Sequence, residues 1–189
     1  MKLKKVLTSA LLYTAVLTGA NGALADTSAL EALREGDMRK LTFHSEPQAA
    51  SDATFTDPEG GEHALSDYAG KHVLLNFWAT WCAPCREEMP ALDALQAELG
   101  GETFEVVPVA TGRNTLAGIE DFFGEEGIET LPILLDPKQA LARDMAVFGL
   151  PVTVILDPEG REIGRLQGGA DWAGDSAKAI LRALIAGES

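Results

Sequence analysis

Residues 72 to 79, His-Val-Leu-Leu-Asn-Phe-Trp-Ala, form an apolar run of strand length. A strand without a polar face must be covered on both sides, so this run predicts the centre of a sheet. The sequence around it supplies the cover. From Ala83 to Leu99, Met89, Leu92, Leu95 and Leu99 fall on one helical stripe, while Glu87, Asp93 and Glu98 face elsewhere, and Gly100-Gly101 ends the helix. Residues 104 to 110 read as a second apolar strand, 115 to about 125 as a helix, 133 to 135 as a short strand and 139 to 148 as another helix. This alternation predicts an α/β fold, a mostly parallel sheet with helices on both faces. Residues 152 to 156 and 162 to 166 are joined by Asp157-Pro-Glu-Gly160, the turn of an antiparallel hairpin at the sheet edge. A terminal helix should open at Asp171 and run to about Ala186, with Phe148 and Trp172 as core residues.

The first 50 residues read differently. Lys2, Lys4 and Lys5 precede an apolar run from Val6 to Ala20 and then Ala23-Leu24-Ala25, the pattern of a secretory signal cleaved after Ala25. An uncleaved anchor is the rival reading, but the run falls short of the roughly 20 apolar residues that span a bilayer. Residues 26 to 50 lack a clear apolar period, which predicts a weak helix about Ala29 to Arg34 and then a linker. A small hairpin is expected around Asp57-Pro-Glu-Gly-Gly61. A single domain over 51–189 fits a chain of 189 residues with 46% hydrophobic composition. Without Lys2, Lys4 and Lys5, the 15 basic residues become 12 against 29 acidic, a formal charge of −17. Such a field repels nucleic acid and anionic lipid, and neither is expected as a partner.

Cys82-Ala-Pro-Cys85 holds both cysteines of the chain, where the apolar strand ends and the helix begins. A thiolate at Cys82 would meet the unpaired amides and positive dipole end of the helix, which lower its pKa. Pro84 is tolerated in the first turn, where its missing N–H costs nothing. Cys85 would lie one turn further in, covered but within reach of Cys82. A static disulfide is the competing reading, yet a loop this short restrains the unfolded chain by only roughly 2 kcal/mol. A zinc site would need two further ligands from His44, His63 and His72, which lack ligand spacing.

The segment from Asn76 to Pro90, Asn-Phe-Trp-Ala-Thr-Trp-Cys-Ala-Pro-Cys-Arg-Glu-Glu-Met-Pro, resembles the active-site segment of the TlpA-like thioredoxins, membrane-associated or periplasmic. Gly149-Leu-Pro151, Asp157-Pro-Glu-Gly160 and Gly169-Ala-Asp-Trp172 extend the resemblance across about 53–186. It implies a thioredoxin-like fold with a mixed central sheet, an N-terminal hairpin and an inserted strand and helix at about 133–148. It implies a dithiol reductant of disulfide-bearing proteins in the periplasm, in cytochrome c or respiratory oxidase assembly, re-reduced by a membrane electron donor. No cofactor or metal is implied, and a monomer is expected. Cys82 would be the nucleophile and Cys85 the resolving thiol of a redox-active disulfide, with Trp81, Pro84, Leu150 and Pro151 contacting substrate. Pro151 matches the family's cis-proline, although a trans proline opening an edge strand is the plainer alternative. Val152 stands where the family commonly has threonine.

Asn76 occupies the place of thioredoxin's buried aspartate, so another acid must move the proton. Glu88, three residues beyond Cys85, matches an acid this branch carries. Shielded by Trp78 and the inserted segment, it would have a raised pKa and could take the Cys85 proton; in water it would be a surface glutamate like Glu87. Ala83 and Pro84 place no cation between the cysteines, which favours the reductant over the oxidant. The alternatives are a Cu(I) chaperone using the same pair, and a thiol peroxidase, for which only Arg113 offers an activating cation.

Overall fold

The computed structural model describes residues 27–187; the expected signal segment and its cleavage site lie outside them. One mixed sheet of eight strands, in the order β1-β8-β7-β4-β5-β6-β2-β3, carries the fold. The apolar run forms β4 (His72–Trp78), and its neighbours are β5 (Phe104–Thr111), parallel to it, and β7 (Val152–Leu156), antiparallel. Beyond β5 lie β6 (Leu134–Asp136) and the two-residue strands β2 (Phe55–Thr56) and β3 (Glu62–His63), the expected small hairpin. Beyond β7 lie β8 (Arg161–Gln167) and β1 (Thr42–Ala49).

The two-residue period of the strands sorts side chains between two cores. Leu74 and Trp78 of β4, Phe104, Val106 and Ala110 of β5 and Ile155 of β7 face one core. The helices α2 (Ala83–Leu99), α3 (Leu116–Glu126) and α5 (Asp175–Ala186) pack on that face through Leu92, Leu95, Phe122, Ile180 and Leu184. Val73, Leu75 and Phe77 of β4, with Val107, Val109 and Val154, face the other core, which α4 (Ala140–Asp144) covers through Leu141 and Ala142. Among the described residues no helix is long and apolar enough to cross a membrane.

Only the β4–β5 and β5–β6 ladders are parallel, so the sheet is mixed rather than mostly parallel, and β1 covers β8, so the β7–β8 hairpin does not lie at the sheet edge. Other expectations change as well. The weak helix is present as α1 (Thr27–Ala32), but the stretch read as a linker contains β1, an edge strand on β8. Its signal is faint because only Phe43 of its eight residues is buried, and a register shift lies between Phe43 and Gln48, around Pro47. Polar groups anchor it instead. His44 Nε2 lies 2.7 Å from Glu162 Oε1, and Arg165 forks onto the same carboxylate at 2.9 and 2.8 Å. Burial works against the Glu162 charge, but the hydrogen bonds from Arg165 and His44 win and hold its pKa below the ordinary value. Gly164 allows the close approach, since a Cβ there would stand 3.0 Å from the Phe43 ring.

The helix expected over 139–148 stops at Asp144. Ala146 adopts φ 53°, the Ala146 N–H donates to Arg143 O and the Val147 N–H to Ala142 O, a left-handed closure that spends the last carbonyls of α4. The turn buries Met145 and Val147 and throws Phe148 outward, 90% exposed, so Phe148 is not a core residue. Trp172 is buried as expected, whereas the last helix begins at Asp175, four residues late, because Asp171 closes a turn onto the Ala173 and Gly174 amides.

Candidate redox site

Chain geometry at the end of β4 places the two cysteines. Cys82 is the N-cap of α2, its N–H donating to Ala79 O and its carbonyl accepting from Arg86 N. Cys82 and Cys85 are joined in a disulfide with Cα atoms 5.3 Å apart. Cys82 retains 5% of its surface and Cys85 none, so a partner reaches the first sulfur before the second. Pro84, in the first turn, is exposed. Arg86 is engaged elsewhere: its guanidinium lies 4.3 Å from the Phe122 ring centroid and 3.8 Å from Glu125.

Leu150 and Pro151 arrive at the same place from β7. Val152 opposes Phe77 in the sheet, so Pro151 stands beside the point where the chain leaves β4 for the cysteines. The Leu150-Pro151 bond is cis, and Pro151 O accepts from Gly168 N at 2.9 Å. Val152 packs its side chain into the core on the α4 face, away from α2. A valine in place of threonine is therefore a packing choice there.

Behind the disulfide lies a polar cluster in an apolar layer. Asn76 and Thr153 are paired across β4 and β7 and point to the α2 face. Asn76 Nδ2 donates to Glu88 Oε1 at 2.8 Å and to Thr153 Oγ1 at 2.9 Å, and the Ala170 N–H donates to Glu88 Oε2 at 3.0 Å. Glu88 is 3% exposed. Burial pushes its pKa up to about 7, although the hydrogen bonds from Asn76, Ala170 and Trp172 and the charge of Lys40 favour the ionised form. The Trp172 indole N–H reaches no acceptor in good hydrogen-bond geometry, so its pull on Glu88 is the weaker one. Glu88 is therefore no surface glutamate.

Its cover differs from the expected one. The inserted β6 and α4 pack on the opposite face of the sheet, through Leu134, Leu141 and Met145. The roof comes from residues 169–172 instead. Lys40 Nζ holds Gly169 O at 2.6 Å, and a Cβ at Gly169 would press on Pro84 O at 3.3 Å and reach Glu88 Oε2 at 3.8 Å. Lys40, Thr153 and Ala170 were not singled out in the sequence. Thr153 had a signal, because it interrupts an apolar strand as Asn76 does, and polar residues buried on adjacent strands must find each other or another partner.

On the far side of the disulfide Trp81 is 65% exposed, while Trp78 is buried against Phe122 and Phe123 with ring centroids 5.6 and 5.8 Å away. Trp81 forms one wall of a groove shared with Gly112, Arg113, Pro137 and Gln139.

The family model described as AhpC/TSA matches residues 47–161. The thiol-disulfide oxidoreductase ResA of Geobacillus thermodenitrificans is 38% identical over 112 residues, 59% of this chain and 63% of that protein. The thioredoxin-like protein YneN of Bacillus subtilis is 40% identical over 115 residues, 61% of this chain and 67% of the relative. The chain thus spans a little under two thirds of the length of ResA. A Chlorobium tepidum structure described as a putative thiol:disulfide interchange protein DsbE superposes with a TM-score of 0.65 at 26% identity, covering 76% of this chain and 99% of that one. By its thioredoxin-like fold, its cysteine pair and the matched residues, the chain belongs to the AhpC/TSA family, in agreement with its resemblance to the TlpA-like thioredoxins.

Proposed function

We propose that this chain is an exported thiol-disulfide oxidoreductase that reduces disulfides in partner proteins. The observation that carries the reading is a cysteine pair at a helix N-terminus, backed by a buried carboxyl whose pKa lies near neutrality. In the reduced protein the Cys82 thiolate attacks one sulfur of the partner's disulfide. That bond breaks, a mixed disulfide forms and the partner's other sulfur leaves as a thiolate. Cys85 then gives up its proton, with Glu88 as acceptor, and attacks Cys82 Sγ. The Cys82–Cys85 disulfide forms, the partner's second sulfur is released, and two electrons have passed to the partner. A membrane electron donor then restores the dithiol.

The reducing direction rests on the charges around Cys82. Ala83 and Pro84 carry none between the cysteines, and Arg86 is occupied by Phe122 and Glu125, so within its own turn the thiolate gains only the helix terminus. Export to the periplasm rests on the pattern of residues 1–25, and a role in cytochrome c or respiratory oxidase assembly on the TlpA-like resemblance. Equilibration with a glutathione series, read by fluorescence of the tryptophans beside the disulfide, tests the direction. The reducing and oxidising classes of this fold differ by about 150 mV, or about 7 kcal/mol for two electrons. A potential at the oxidising end would make the protein a disulfide donor. Tight Cu(I) binding by the reduced pair without disulfide reduction would favour the copper chaperone.

A further inference from the structure

The groove beside Trp81 carries a charge that the rest of the molecule does not predict. The chain has 29 acidic residues against 15 basic ones, and most of the described cations are held in ion pairs. Arg113, on the groove wall, forms none among the described residues, and neither does Lys138, which stands between the lining residues Pro137 and Gln139. Both are exposed. The Arg143 guanidinium reaches Lys138 O and adds a third cation to this edge. The nearby Asp136 is buried and turned inward, accepting from Ala140 N at 2.7 Å and Ala142 N at 3.0 Å.

The groove is built rather than incidental. Asn114 Oδ1 accepts from Thr80 N at 2.9 Å and Thr80 Oγ1 at 3.1 Å, and Asn114 Nδ2 donates to Thr111 O at 3.0 Å. These bonds clamp the Arg113 loop onto the residue preceding Trp81. Gly112, at φ 77°, makes the corner, with its N–H on Asp136 O at 3.0 Å. The result is an open cleft of about 380 Å³ one residue from the nucleophile. The opposite flank, beside Pro84, is lined by Asp37, Glu87 and Asp171, with Lys40 paired to Asp37 at 2.8 Å. A segment crossing Cys82 therefore meets unpaired cations on one side and, beyond the Lys40–Asp37 pair, the carboxylates of Glu87 and Asp171 on the other.

We infer that the groove formed by Trp81, Arg113 and the Pro137–Gln139 turn receives a carboxylate-bearing flank of the partner's disulfide segment, so that Arg113 and Lys138 select and orient the substrate. This rests on the thiol-disulfide reading above. Trp81 supplies an apolar wall for the segment's backbone, and the two cations fix its direction by charge.

The test uses two synthetic peptides with the same intramolecular disulfide, flanked by two Glu in one and two Lys in the other. Each is reduced by the reduced full-length protein in stopped flow. The readout is the ratio of kcat/KM for the Glu peptide to that for the Lys peptide, which cancels any general loss of reactivity. Reversing both charges, Arg113→Glu with Lys138→Glu, should lower this ratio about tenfold at low salt, with the change shrinking as salt rises. The same net charge change at Lys178→Glu with Arg182→Glu is the control. Those residues pair with Glu98, 16 residues along α2 from Cys82 and so about 24 Å away, and the ratio should move less than about twofold. If the reversed protein fails to fold, the Arg113→Gln, Lys138→Gln pair should lower the ratio about threefold. An unchanged ratio, or an equal change in the control, overturns the inference while leaving disulfide reduction standing. Reduction of neither peptide by the wild-type protein overturns the parent reading and this one together.

Discussion

Asn76 donates its amide N–H to Glu88 Oε1 at 2.8 Å, from the central strand to the helix that carries both cysteines. With the Ala170 N–H on Oε2, the carboxyl is held between two donors in a layer otherwise filled by Leu74, Trp78 and Leu92. The donors keep ionisation possible and the burial keeps it costly, which sets the pKa near neutrality. An asparagine at position 76 gives Glu88 a neutral partner. A second carboxyl there would compete for the same proton.

The first prediction concerns stability against pH. The folded-state pKa of Glu88, about 7, lies above the ordinary glutamate value of 4.5, so the folded protein holds this proton more tightly than the unfolded chain. Stability from this group is present below about pH 4.5 and is lost as pH rises through 7. Glu88→Gln does not titrate, whatever constant offset the amide brings. The wild type minus Glu88→Gln stability difference should therefore fall by roughly 3 kcal/mol between pH 4.5 and 8. Urea denaturation of the oxidised proteins measures it, and a flat difference would contradict a buried Glu88.

Asn76→Asp should place two carboxyls in hydrogen-bond contact, where both cannot ionise. We expect a loss of about 2–4 kcal/mol at pH 8, with most of it recovered at pH 5. Equal losses at the two pH values would mean that the defect is one of packing.

Glu88→Gln should slow turnover at neutral pH and alter the pH dependence of Cys85 more than that of Cys82, because an amide cannot accept the proton. Glu87→Gln, at an exposed position on the same helix, is the comparison and should behave as the wild type. Identical pH–rate profiles for the two variants would remove Glu88 from proton transfer.

Cys82→Ser should abolish disulfide reduction, while Cys85→Ser should still attack and then accumulate mixed disulfides, about one per molecule. Iodoacetamide should modify Cys82 faster in the reduced protein, since only that sulfur's residue retains exposed surface. Faster labelling of Cys85 would reverse the roles.

Phe148→Ala should change stability by no more than about 0.5 kcal/mol, because the ring has little contact to lose. Phe104→Ala, fully buried on the α2 face, should cost about 3–5 kcal/mol. Thermal denaturation of the two variants separates them.

Much of this protein was legible in its sequence because the relevant signals are local. The apolar run at 72–79, broken only by Asn76, demanded a doubly covered strand, and Met89, Leu92 and Leu95 supplied the covering stripe. Cys82-Ala-Pro-Cys85 fell at a helix start because strand and helix patterns meet there. What tertiary structure decided depends on groups distant in the chain. β1 exists because Glu162 and Arg165 of β8 pair with it, and one buried side chain in eight leaves no period to read. Phe148 looked like core by composition, but a left-handed turn at Ala146 turned it out, and a single backbone dihedral is not encoded in hydrophobicity. Glu88 was recognised as a candidate acid, yet its environment required Asn76, Thr153 and Ala170 to converge from three other segments. A pKa is set by burial and by which donors face the group, and both are properties of the assembled fold.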